Sequence, residues 1–164
     1  MDTFQIVLIL ALLLCSLVAG FVFAFASVVM PGIGSLNDRE FLRGFQVIDR
    51  VIQNNQPAFM LVWVGSIVTL VTSGALGFGR LDGPERWLVV AAVVVYLVGV
   101  QLPTMTINVP LNNQLQSLDL QTMDESALAA ARADFEPRWN RWNELRTVLA
   151  ILTSLLLIVV ALRL

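Results

Sequence analysis

Residues 4–30 read FQIVLILALLLCSLVAGFVFAFASVVM, and this run decides the fold class. No charged residue interrupts it, and Gln5 is its most polar early member. A helix rises 1.5 Å per residue, so about twenty apolar residues cross the hydrocarbon core of a bilayer. The run exceeds that length and reads as a first transmembrane helix. A signal peptide is the competing reading, but Met1–Asp2–Thr3 supplies no positive n-region and the apolar stretch outlasts a short signal core. Met30–Pro31–Gly32–Ile33–Gly34 is expected to stop the helix, because proline and glycine end helices cheaply.

Outward from this run the same theme repeats. Residues 57–78 form a second span, in which Gly65, Ser66, Thr69, Thr72, Ser73 and Gly74 allow close helix approach. A tight turn follows, and Trp87 anchors the start of a third span over 87–107. That span is marginal in length unless the stretch after Pro103 continues the crossing. A fourth runs over 142–162, with Arg163 placed to snorkel to the head groups. Between the first two spans, residues 38–54 are amphipathic, with Phe41, Phe45, Ile48 and Ile52 on one helical face. Residues 108–141 read as the largest polar loop, containing a helix over 124–134 that Pro137 interrupts or restarts. The expected fold is therefore all-α: one membrane domain over 1–164, a four-helix bundle with one short amphipathic helix and one polar loop helix.

Composition supports this and excludes much else. Hydrophobic residues make up 57% and charged residues 13%, against roughly half and a quarter in a typical soluble domain. Mean hydropathy is +0.79. With a net charge of −2 there is no basic face to follow a phosphate backbone, so no nucleic-acid partner is expected. Histidine and lysine are absent, and Cys15 is the sole cysteine. A disulfide within the chain, a CxxC pair, a histidine-held haem or metal and a Ser-His-Asp triad are all ruled out. Loops 31–56 and 108–141 share one side of the membrane. Their arginines outnumber Arg80, Arg86 and Arg163 on the other, so the large loops lean cytoplasmic.

Three polar groups fall at that one side, each near a predicted helix end. Asn108-Val-Pro110-Leu-Asn112-Asn113-Gln114 closes the third span; its amides either cap the helix end or hold a polar ligand. Trp139, Trp142, Asn143 and Arg146 follow i, i+3, i+4, i+7, which makes either an aromatic slot with an anion anchor or an interfacial belt. Gln46, Asp49, Arg50, Asn54 and Asn55 mark the first loop. There Asp49 serves as a general base if burial raises its pKa, or else sits on a solvated helix face. Converging polar helix ends are where bundles build pockets.

Asn108-x-Pro110-x-Asn112, followed by Trp142–Asn143-x-x-Arg146 at the opening of the last span, resembles the anthrone oxygenase-like family. Met30–Pro31 and the stretch Gln46…Asn54…Pro57-x-Phe59 are similar too, so the resemblance covers nearly the whole chain. It implies a small four-helix protein of a bacterial inner membrane that oxidises an apolar aromatic or polyketide-type substrate without a bound cofactor or metal. In such a reaction a deprotonated substrate passes an electron to oxygen. By position it carries over Asn108, Asn112, Trp142, Asn143 and Arg146; in an enzyme of this kind Asp49 is the candidate base, Arg146 with Asn108 and Asn112 meets the oxyanion, Trp139 and Trp142 stack on the rings, and Asn143 and Gln46 bind substrate. The alternative reading is a non-enzymatic subunit or lipid- or quinone-binding accessory protein of a larger membrane complex. Membrane lipid is the expected surroundings in both readings, with a homo-oligomer or a partner chain as the expected assembly.

Overall fold

The computed structural model describes residues 1–164 and consists of five helices joined by short turns. They are α1 (Thr3–Gly34), α2 (Asp38–Gln53), α3 (Pro57–Arg80), α4 (Gly83–Gln116) and α5 (Glu125–Arg163). All but α2 are long and apolar enough to cross a membrane. α1 packs on α3 and α5, and α4 packs on the same two helices from the other side, which closes a four-helix bundle. Phe4, Leu8, Ala11, Cys15 and Val18 of α1 meet Leu70 of α3, Val89, Ala92 and Tyr96 of α4, and Ala150 and Leu157 of α5 in its centre. The outward side chains are apolar as well: Leu13, Leu17, Val68, Val98 and Leu155 are all exposed. Such a surface suits lipid. At the α4–α5 crossing, a Cβ on Gly99 would stand 2.5 Å from Leu149 Cδ1 and 3.3 Å from its Cβ, so a larger residue would push Leu149 aside where the two helices cross closely.

Pro31 does not end α1 as expected, and the third span, marginal unless it continued past Pro103, runs on through both Pro103 and Pro110. Each is preceded by one wide turn. The N–H of Met30 bonds to the carbonyl of Phe25, that of Leu102 to Leu97, and that of Val109 to Thr104, a reach of five residues instead of four. Each donor stands directly before a proline: Pro31, Pro103 or Pro110. A proline ring clashes with the carbonyl four residues back and brings no N–H. Widening the turn moves that carbonyl aside, and the helix runs on as a π-bulge. This is why α1 reaches Gly34 and α4 reaches Gln116, and why the expected loop over 108–141 shrinks to the segment between α4 and α5. The expected separate polar helix is the first part of α5, which passes through Pro137 without a break. Pro137 and Ala133, whose carbonyl loses its partner, are not buried, so water can satisfy the freed group.

α2 does not float at the interface. Phe41, Leu42 and Phe45 are buried, and the helix lies across the ends of α4 and α5. Arg132 of α5 donates to the carbonyls of Gly34 (2.7 Å) and Leu36 (2.8 Å), pairs with Asp38 and Glu136, and stands over the Phe41 ring. Arg39 of α2 reaches back to the carbonyls of Leu120 and Met123. These two arginines clamp the N-terminal end of α2, and Gln46 and Asp49 tie its later turns to Leu115, Leu118, Asn112 and Gln116 at the α4 end, which makes α2 a cover over one end of the bundle.

Candidate functional site

Beneath that cover lies a partly open cavity of about 130 Å³, lined from all five helices. α1 contributes Phe21, Val22 and Phe25; α2 contributes Phe45, Asp49 and Ile52; α3 contributes Phe59 and Trp63. Polar groups come mainly from the two remaining helices: Thr104, Asn108 and Asn112 with Val109 from α4, and Trp139, Asn143 and Arg146 from α5. The walls are aromatic. Phe59 and Trp63 stack with centroids 5.4 Å apart, Phe21 tilts against Phe59 at 5.2 Å, and Phe25 and Phe45 close on Trp139 at 5.6 and 5.3 Å.

The α4 stripe is spaced by four residues. In a regular helix each step of four advances about 40°, so a third member drifts off the face. The wide turn over Thr104–Asn108 rotates the helix back and holds Thr104, Asn108 and Asn112 toward one cavity. The bulge made by Pro110 is thus part of how the site is built. On α5 the facing stripe is Trp139, Asn143 and Arg146, at i, i+4 and i+7, which needs no correction.

Partners that can only donate or only accept fix the three amides. The indole Nε1–H of Trp139 donates to Asn112 Oδ1 at 2.8 Å, which turns the Asn112 Nδ2 toward Asp49 Oδ1 at 2.7 Å. Asn143 Nδ2 donates to the Val22 carbonyl at 3.0 Å and leaves its oxygen for Arg146 Nη2 at 2.9 Å. Asn108 Nδ2 donates to the Trp139 carbonyl at 3.2 Å, and its oxygen is left without a partner.

Two ionisable groups line this cavity, and neither has a counterion. Asp49 is 3% exposed. Its carboxylate accepts from Asn112, from Gln53 Nε2 at 2.7 Å and from Gln116 Nε2 at 3.0 Å. Burial pushes its pKa above the ordinary aspartate value, and these three amides pull only partly back. Arg146 is 5% exposed. Nη1 donates to Thr104 Oγ1 at 2.9 Å, Nη2 to Asn143, and the guanidinium carbon stands 5.7 Å from the Trp139 ring centre. Its Nε–H has no acceptor. A buried cation held by neutral oxygens and one ring face costs free energy unless an anion joins it. The arrangement can therefore hold an oxyanion at Arg146 within the same cavity as a desolvated carboxylate.

Residues 46–156 match the family model described as anthrone oxygenase. The chain belongs to the anthrone oxygenase family. Asp49, Asn108, Asn112, Asn143 and Arg146 all fall inside the stretch that carries the anthrone oxygenase match, whereas α1, which supplies Phe21, Val22 and Phe25, lies outside it. No curated protein and no solved structure matches the chain.

Of the residues singled out from the sequence, Asp49, Asn108, Asn112, Trp139, Asn143 and Arg146 line the one cavity. Two do not, and their expected places are corrected. Gln46 is spent on the turn after α4, donating to the carbonyls of Leu115 (2.9 Å) and Leu118 (3.1 Å). Trp142 faces outward into a shallow groove with Arg141, Leu145 and Val148. At 100° per residue it trails Trp139 by about 60°, on the opposite side from Asn143, which carries it off the buried stripe. The sequence reading missed Thr104 and Trp63 and noted Phe59 only within the family resemblance, with no role. Thr104 carried a usable signal, four residues before Asn108 on the same polar stripe. The aromatics of α1 and α3 carried none, since nothing local separates a cavity-lining ring from a lipid-facing one.

Proposed function

We propose that this protein is a membrane oxygenase that uses the substrate's own carbanion as the electron donor to dioxygen. The observation that carries this reading is the buried, counterion-free guanidinium of Arg146 sharing an aromatic cavity with the desolvated carboxylate of Asp49. Membership of the anthrone oxygenase family supports the reaction class.

In this reading the substrate is an aromatic carbonyl with an acidic ring methylene. Asp49 takes the proton, and its raised pKa brings it closer to the acidity of the carbon it must deprotonate. Charge then moves to the carbonyl oxygen, where the Arg146 guanidinium stabilises it inside a low-dielectric pocket. The enolate gives one electron to dioxygen, the resulting radical and superoxide combine at carbon into a peroxide anion, and this takes the proton back from Asp49 to become a hydroperoxide. Loss of water leaves a new carbonyl. In balance, one ring methylene and one dioxygen molecule become one ring carbonyl and one water. The carbon is oxidised, and dioxygen is the oxidant. The aromatic walls hold the ring and exclude water.

Oxygen uptake by purified protein tests this reading. The substrates are a series of enolisable aromatic carbonyls from one ring to three, anthrone included, and the comparison variant is Arg146→Ala. The wild type consumes oxygen with at least one member, and the variant is slower by about 10²–10³-fold. No uptake with any member removes the oxygenase reading; equal rates remove Arg146 from it.

A further inference from the structure

We infer that the cavity is entered sideways from the bilayer, through a slot between the start of α3 and the end of α4, by an apolar aromatic ligand dissolved in the lipid. The inference rests on the reading of this cavity as a ligand site and adds the route by which the ligand arrives. The slot comes from how the two helices pack. α3 lies along α4 as far as Tyr96: a Cβ on Gly74 would stand 2.7 Å from Val93 Cγ2, and Ser66 Oγ meets Tyr96 Oη at 2.6 Å. Beyond that point the packing ends. One hydrogen bond still joins the helices there, from Trp63 Nε1 to Gln101 Oε1 at 3.1 Å. In this part α4 runs through its wide turns over Leu97–Gln101 and Thr104–Asn108, and turns of that kind bend a helix.

The gap leads into the cavity. Every α5 residue that lines the cavity is buried, and so are Phe45 and Asp49 of the α2 cover, which closes the end of the bundle. The lining residues that keep some exposure are Ile52 at the end of α2, Phe59 and Trp63 on α3, and Val109 and Asn112 on α4, with Phe21 packed behind the α3 pair. Apart from Asn112 these lips are apolar. The surface outside them is apolar too: Leu61 and Val64 on α3 and Leu102 and Met105 on α4 are exposed. Lips and surroundings of this kind face hydrocarbon. An apolar ring system collects in the bilayer because water disfavours it. Through the slot it reaches the cavity without returning to water, and Asn112, tied to Asp49 and Trp139, is the first polar side chain in its path.

Two measurements on the full-length protein in lipid nanodiscs test this. The first places a nitroxide on Val109→Cys in a Cys15→Ala background. Its collisions with dioxygen, which concentrates in hydrocarbon, and with nickel-EDDA, which stays in water, are compared with those of labels on Leu155→Cys, on the outer apolar face, and Asn54→Cys, in the polar turn after α2. The label at 109 is expected to match the one at 155; a match to the one at 54 overturns the inference. The second follows 1-aminoanthracene entering the cavity by energy transfer from tryptophan in stopped flow, with empty nanodiscs as the blank. Val109→Trp narrows the slot and is expected to slow entry and exit alike by about tenfold or more, leaving affinity within about twofold. Trp63→Ala widens it and is expected to speed both. Should either variant not fold, the other and the spin label still decide. Rates unchanged in both variants overturn the inference, as does the absence of saturable binding to the wild type. Anthrone-dependent oxygen uptake with unchanged exchange rates in the variants overturns the slot and leaves the oxygenase reading standing. Slowed exchange in Val109→Trp, with no oxygen uptake by the wild type from any enolisable carbonyl, does the reverse.

Discussion

Replacing Arg146 by methionine separates a residue kept for a ligand from one kept for the fold. Methionine matches the length of the arginine stem and removes only the charged end. The folded protein loses two hydrogen bonds from a charged donor, to Thr104 Oγ1 and Asn143 Oδ1, worth about 1.5–3 kcal/mol each. Thr104 keeps its own bond to the Val100 carbonyl, so only the Asn143 oxygen is left unpaired. Against this, the protein no longer buries a cation without a counterion, a cost of several kcal/mol. The two effects oppose each other at similar size, and the net change is expected to stay within about 2 kcal/mol of either sign, or about 8 °C in melting temperature for a chain of this length. Oxygen uptake is expected to fall by about 10²-fold or more in the same preparation. Thermal unfolding followed by tryptophan fluorescence, beside an oxygen electrode, reads both quantities. A variant that melts more than about 15 °C lower, with activity lost only in proportion to the unfolded fraction, refutes the reasoning: Arg146 would then be a structural brace.

Other outcomes follow from the same geometry. Asp49→Asn keeps the volume and removes the base, and the rate is expected to drop by about 10²–10⁴-fold on the oxygen electrode. The acid limb of the wild-type pH–rate profile is expected above the ordinary aspartate pKa of about 4, because burial raises it; a limb at or below that value contradicts this. The same shift has a stability sign. The folded state holds this proton more tightly than the unfolded chain, so Asp49 makes stability fall as pH rises from about 4 through its folded pKa, which melting curves at stepped pH check against Asp49→Asn. Trp139→Phe keeps the ring packing but frees the Asn112 amide. Losing a fixed donor to the carboxylate is expected to move the acid limb higher still. Gly99→Ala drives a methyl into Leu149 and is expected to cost about 1–3 kcal/mol, read as a lower melting temperature.

The sequence made the class of fold plain because lipid imposes a simple rule: long uncharged runs, of which residues 4–30 are the clearest. Helix ends were less legible. Pro31 read locally as a stop, Pro103 left the third span marginal and Pro110 fell in its expected closing turn, and only the packed bundle shows each being absorbed by one wide turn. The polar half of the site was readable in part, since Asn108, Asn112, Asn143 and Arg146 repeat at helical spacing beside long apolar spans. Trp142 shows the limit of that reasoning. Spacing by three, four and seven admits a stripe wider than the face that is buried, and whether a flanking indole meets the cavity or lipid is decided by where the neighbouring helix lies. Asp49 was ambiguous from sequence because a carboxylate on an amphipathic helix is usually solvated. Here Arg132 and Arg39 anchor the start of α2, and amides of Gln46, Asn112 and Gln116 draw its later turns against the end of α4, where Asp49 is buried.

The most direct measurement is an experimental density map of the protein in nanodiscs with a bound enolisable aromatic. The ligand's oxygen is expected within hydrogen-bonding distance of the Arg146 guanidinium, its acidic carbon facing Asp49, and its ring between the walls formed by Phe25, Phe59 and Trp139. Density confined to the outer groove beside Trp142, or an Arg146 paired with a protein carboxylate over an empty or collapsed cavity, contradicts it.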